Sequence, residues 1–176
     1  MTDALRHQEA TARTGMIFFL GSWWMMFAGL FFTFLLLKAR QNVWPPSGLA
    51  PISSAGLLLS TIAVVISSVG VELKRRRELR LGLVIAAAAA AVFVLSQGWV
   101  GQQAMAAGFK VEGSPVSAFV ALIAVFHLVH ATVGAIALVI LALRQTPRAL
   151  TVGLWANYWH FVGVIWFLIY VLVFPF

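Results

Sequence analysis

Apolar residues run through this chain in five long stretches separated by short polar ones. The stretches are Gly15–Leu37, Pro51–Val71, Leu79–Ala104, Ser117–Leu143 and Leu150–Phe174. Each reaches the roughly 20 predominantly apolar residues that a helix needs to cross a hydrocarbon core. Within lipid a lone segment must satisfy its own backbone hydrogen bonds, so the pattern predicts helices and not strands. The expected fold is an all-α integral membrane protein, one transmembrane domain over residues 1–176 made of a five-helix bundle behind a polar leader at 1–14. The connections are short, and Trp44-Pro45-Pro46-Ser47-Gly48 reads as a rigid amphipathic loop at the membrane surface.

Composition agrees with this reading. Of the 176 residues, 62% are hydrophobic and 10% charged, where a soluble domain carries about 25% charged residues. The absence of cysteine excludes disulfides, iron–sulfur clusters and thiol chemistry. The leader Met1–Thr14 is polar and contains acids, and the apolar run after it is too long for a cleaved signal peptide. Targeting is therefore expected from the first membrane helix itself. The net charge of +7 bears on topology before any partner, and nucleic acid is not expected as one. With five spans, the N-terminus and the second and fourth connections share one side. That side holds nine basic residues (Arg6, Arg13, Lys74, Arg75, Arg76, Arg77, Arg80, Arg144 and Arg148), and the other holds three (Lys38, Arg40 and Lys110). The positive-inside rule then places the N-terminus in the cytoplasm and the C-terminus outside. The Lys74–Arg80 run reads first as a topology anchor and second as a contact for anionic lipid or a cytoplasmic partner.

Small residues mark packing surfaces. Gly21 and Gly29 lie on roughly one face of the first helix, where a neighbour can approach. Ser53, Ser54, Gly56, Ser60, Thr61, Ser67 and Ser68 suit the second helix to interhelical hydrogen bonds. The run Ala86–Ala91 gives the third helix close packing without chemistry, and Gln97, Gln102 and Gln103 follow towards its outer end.

Polar groups inside a span are costly and so invite a functional reading. The last helix carries Asn157-Tyr158-Trp159-His160, and the fourth carries His127 and His130 at i, i+3 on one face. Such histidines could ligate a metal or haem if another helix added ligands. The fourth histidine, His7, is in the leader, and all five acids lie at or beyond the span ends, so neither a catalytic zinc set nor haem ligation is easily completed. At about 1.5 Å per residue, His160 and His127 each lie about 15 Å in from one end of their helices. Together with His130 and Trp23 they are expected to form a buried polar layer that cross-links helices. A small transporter or b-type cytochrome is the reading from another class. Internal repeats and charged broken helices, which would favour a transporter, are not evident.

The residues also carry a family resemblance. Phe126-His127-x-x-His130-x-x-x-Gly134 in the penultimate helix, followed by Tyr158-Trp159-His160-Phe161-Val162-x-x-x-Trp166 in the last, resembles subunit III of the haem–copper oxidases. Gly15-Met16, Phe27-Ala28-Gly29 and Trp44-Pro45-Pro46-x-Gly48 support it in the family's order. The full family has seven helices, and this chain is similar to its last five, as shorter bacterial versions are. Two departures stand out. Trp23 follows Ser22 where the family commonly has a glutamate, and Gly163 stands where it commonly has an aspartate.

The resemblance implies a subunit that is not catalytic by itself, in a terminal respiratory oxidase of a bacterial inner membrane. It implies packing beside subunit I and other oxidase subunits, bound phospholipid, haem and copper held by the partners, and support of proton uptake. Signature packing would fall to His127, His130, Tyr158, Trp159, His160, Gly29 and Trp23. Asp3, His7 and Glu9 would be the groups for collecting protons at the surface, against a plain solvated leader. An accessory protein of a nitric oxide reductase, and a quinol oxidase subunit, stay open on the same pattern.

Overall fold

A computed structural model describes residues 3–49, 53–73 and 76–173. They form five α-helices: α1 (Asp3–Ala39), α2 (Ser54–Glu72), α3 (Arg76–Ala106), α4 (Pro115–Leu143) and α5 (Ala149–Leu172). A 3₁₀ turn, Val111–Gly113, precedes α4, and no strand occurs among the described residues. All five helices are long and apolar enough to cross a membrane.

Helix ends differ from the apolar runs for local reasons. The leader is not a separate segment, because α1 already begins at Asp3. Ala4, Leu5, Arg6, Gln8, Glu9 and Ala10 are good helix formers, nothing before Gly15 breaks the helix, and the acid in the first turn complements the dipole. Ser53 caps α2, its hydroxyl accepting from the Gly56 amide at 3.4 Å. Pro51 and Phe174, the expected limits of two spans, lie outside the described residues, as do Lys74 and Arg75. At the start of α4, Ser114 and Ser117 form a reciprocal capping box with Pro115 in the first turn. At 1.5 Å per residue the 37 residues of α1 extend about 55 Å and the 19 of α2 about 28 Å. The first helix overshoots a bilayer core and the second barely crosses it.

The helices α2, α3, α4 and α5 close a ring in which each packs on the next and α5 returns to α2. The first helix packs on α4 and α5 from outside, and it makes no contact with α2 or α3 among the described residues. The α2–α3 seam is the tightest. A side chain on Gly70 would meet the Gly82 carbonyl at 2.8 Å, and one on Gly82 the Gly70 carbonyl at 2.5 Å. The Ser67 hydroxyl donates to the Ala86 carbonyl at 2.7 Å, Ser60 and Ser96 share a hydrogen bond of 2.7 Å, and Ala86 and Ala90 are fully buried. Gly21 and Gly29 do not serve such a seam. They are exposed on α1, and an added Cβ would touch nothing within 4 Å.

At the far end from the N-terminus, two loops lock together. Ser47 donates to the Gly113 carbonyl at 2.7 Å, and the Lys110 amide donates to the Gly48 carbonyl at 3.0 Å. Gly48 has φ +84°, and a Cβ there would strike the Lys110 carbonyl at 2.7 Å, so both conformation and space require glycine.

Candidate functional site

The three membrane histidines occupy three different environments. His130 is 5% exposed in the interior, where α1, α4 and α5 meet. Its Nδ1 lies 2.5 Å from the Phe126 carbonyl one turn earlier, and because a carbonyl can only accept, Nδ1 carries the proton. The Trp23 ring stands edge-on to His130 with centroids 3.8 Å apart, and Phe27 does so at 5.6 Å. Tyr158 donates its hydroxyl to the His130 carbonyl at 3.0 Å, bridging α5 to α4. Gly134, one turn further along α4, makes room for this bridge. A side chain there would meet the Trp159 ring at 2.8 Å and the Tyr158 ring at 3.0 Å.

His127 lies 2% exposed, and neither ring nitrogen has a hydrogen-bond partner among the described residues. Its contacts are aromatic. It stacks on Trp166 at 5.8 Å and meets the edge of Phe93 at 5.9 Å. Trp166 donates to Thr61 of α2 at 3.1 Å, which brings a fourth helix into the cluster. Trp159 is fully buried against Phe93, and its indole nitrogen also has no partner among the described residues. This interior is an aromatic packing unit with hydrogen bonds at one edge.

His160 departs from the expected layer. Successive helical residues point about 100° apart, so with Tyr158 and Trp159 turned onto α4, His160 is turned towards α2. There its Nε2 lies 2.9 Å from Oε1 of Glu72, the last residue of α2, with side-chain exposures of 37% and 48%. The buried layer therefore contains His127, His130, Tyr158 and Trp159, with the half-buried Trp23 at its edge; His160, also half-buried, is turned away from it, and Gly29 is exposed. Glu72 went unnoticed in the sequence because it ends an apolar run, where an acid reads as a boundary marker. The signal for it was the shortness of that run, which leaves its end deep beside the longer α5.

The leader groups do not form one cluster either. Asp3 and His7 are one turn apart on an exposed face of α1, and the His7 carbonyl accepts from Thr11 at 2.9 Å. Glu9 lies on another side and, with Arg13, lines a cleft against Gly153 and Asn157 of α5. Among the described residues no three His, Asp or Glu side chains come together to hold a metal ion.

Comparison with known proteins covers nearly the whole chain. Residues 5–176 match the family model described as cytochrome c oxidase subunit III. A Nocardia farcinica protein named probable cytochrome c oxidase subunit 3 is 30% identical over 165 residues, covering 86% of this chain and 81% of its own length. Cytochrome c oxidase subunit 3 of Thermostichus vulcanus is 26% identical over 173 residues, covering 91% and 85%. The Mus musculus protein of the same name is also 26% identical, covering 92% of this chain and 68% of its own length.

Proposed function

The chain belongs to the cytochrome c oxidase subunit III family, and on that footing we propose that it is the non-catalytic subunit III of a terminal haem–copper oxidase. The match along 5–176 is the observation that carries this reading, and the packing of Trp23 on His130 and of His127 on Trp166 supports it. Haem and copper belong to its partner subunits, where oxygen is reduced. This chain packs beside subunit I in a bacterial inner membrane, holds phospholipid at its margins, and stabilises the assembled enzyme. Its N-terminus faces the cytoplasm, on the charge asymmetry of the connections.

The interior suits such a role. His130, Tyr158 and Trp23 fix α1, α4 and α5 relative to one another through one hydrogen-bonded carbonyl and close ring contacts. A subunit that steadies a neighbour needs this rigidity more than a reactive group. Trp23 stands where family members commonly have a glutamate, and its ring fills the place against His130, so no membrane carboxylate is available there to carry protons. Support of proton uptake rests instead on the surface groups of α1, with Asp3 and His7 on one face and Glu9 turned towards α5.

The test is affinity purification of the chain from native membranes, with an optical spectrum and identification of what comes with it. A haem-bearing multi-helix subunit should co-purify, and the separated chain should show no Soret band. Stoichiometric haem on the isolated chain, or recovery with a nitric oxide reductase core, would overturn the proposal.

A further inference from the structure

We infer that the interior of the ring formed by α2, α3, α4 and α5 binds internal water at His127. This concerns only the inside of the chain and stands apart from the oxidase reading. Most buried polar groups here are paired within the protein. Ser60 bonds Ser96 and Ser67 bonds the Ala86 carbonyl, both at 2.7 Å, Tyr158 bonds the His130 carbonyl at 3.0 Å, and Trp166 bonds Thr61 at 3.1 Å. The exceptions among the described residues are four nitrogens on three side chains: the amide nitrogen of Gln97, both ring nitrogens of His127 and the indole nitrogen of Trp159. They are not scattered. His127 and Trp159 meet the Phe93 ring at 5.9 Å and 6.3 Å, and Gln97 lies one turn beyond Phe93 on the same face of α3. Three helices, α3, α4 and α5, each contribute one of these groups to the same part of the core.

A buried nitrogen without a partner gives up its hydration and gains nothing in return, and native interiors rarely leave one so. The chemistry of these groups selects the ligand. Gln97 and Trp159 present N–H donors, and a neutral imidazole presents one donor and one acceptor on different edges of its ring. The set therefore needs both acceptors and a donor, which water supplies from one small molecule. An apolar molecule would fill space and leave every nitrogen unpaired. A metal ion could take the bare nitrogen of His127, but it cannot serve the N–H groups. Moreover, no three His, Asp or Glu side chains gather to hold one among the described residues. Geometry leaves the imidazole edge available. Trp166 stacks over the face of His127 with the planes 23° apart, and ring nitrogens point outward in the plane, not through the face. One turn along α4 on the same side, Ala131 is fully buried and carries only a methyl, so water has little side-chain volume to displace there. Because the two ring nitrogens point apart, each takes its own water, one accepting from the N–H and one donating to the bare nitrogen.

The test is a structure of the chain in its assembled complex at a resolution that shows ordered water. Water is expected at about 2.7–3.2 Å from a ring nitrogen of His127. A ring edge closed by protein atoms, polar or apolar, with no water in reach of either nitrogen, would overturn the inference. A second measurement reads the same contact in the membrane. In the complex labelled with ¹⁵N-histidine and held in lipid, the ring signals that vanish in His127→Phe belong to His127. Their N–H proton should receive magnetisation directly from water in a water-edited solid-state NMR spectrum. His127→Phe keeps an aromatic ring against Phe93 and Trp166, so the variant is expected to assemble. An N–H of His127 that receives nothing from water would overturn the inference as well. The structural test uses the unmodified protein, so it decides the matter even where the variant fails to assemble.

Discussion

The seam between α2 and α3 closes with almost no side-chain volume, whereas the region between α4 and α5 is filled with the largest rings in the chain. In the first, Gly70 faces Gly82, alanines lie flat, and serine hydroxyls bond across the gap. In the second, Trp159, Trp166, Phe93 and His127 interlock, and among the described residues a single hydroxyl, that of Tyr158, bridges α4 and α5 at the edge. Lipid offers helices little hydrophobic reason to associate, so both solutions must maximise contact, one by bringing backbones together and one by filling the space between them. The difference sets what each region tolerates: the first should be intolerant of added atoms and the second of lost ones.

The largest expected effect is the loss of a ring. Trp159→Ala should cost about 3–5 kcal/mol, read as a fall in thermal unfolding temperature of the purified chain in detergent. Next comes the addition of atoms to the other seam. Gly82→Leu would drive a side chain into the Gly70 carbonyl, at or above the roughly 1–3 kcal/mol that overpacking costs. Gly29→Leu on the open face of α1 serves as its control and should unfold with the parent protein. If Gly82→Leu melts with the parent too, backbone contact is not what closes α2 on α3.

Smaller effects sharpen the contrast among the polar groups. Tyr158→Phe keeps the ring and removes only its hydrogen bond to the His130 carbonyl, at about 0.6–1.5 kcal/mol. His160→Leu should change the melting of the isolated chain by less than about 1 kcal/mol, since its bond to Glu72 is half exposed. The same change should weaken recovery of the complex, and a large destabilisation of the chain alone would return His160 to the core. His127→Phe should be close to neutral in the same melt, because the ring contacts survive and neither nitrogen loses a partner among the described residues. A loss comparable with Trp159→Ala would reveal a partner for His127 that the aromatic cluster does not supply.

The five spans could be read from run length, because apolar length is a property of the chain alone. The meeting of Trp23, His130 and Tyr158 could be read in part, since depth follows from counting residues. Azimuth does not follow from counting. His160 has the right depth for the buried layer and the wrong direction, fixed by how Tyr158 and Trp159 seat against Gly134. Its partner Glu72 lies 88 residues away, at the end of a helix whose shortness relative to α5 appears only when the two are packed side by side. Helix ends escaped for a different reason. Caps such as Ser53 and the Ser114–Ser117 box are polar, and hydropathy counts them as boundary or loop.

The outlying position of α1 also bears on the order in which the molecule can be made. Its neighbours are α4 and α5, so of these five helices the one earliest in the chain meets its partners last. Until Pro115 and the residues after it have entered the bilayer, neither of these partners is present, and α1 is secure as a helix because its own backbone bonds are complete. The α2–α3 hairpin can close long before that, from neighbours in sequence. A chain cut short after α3 would therefore hold a finished hairpin and a stranded first helix. The loop lock through Gly48 and Gly113, formed only when the approach to α4 exists, is then among the first ties to draw that end of the molecule together.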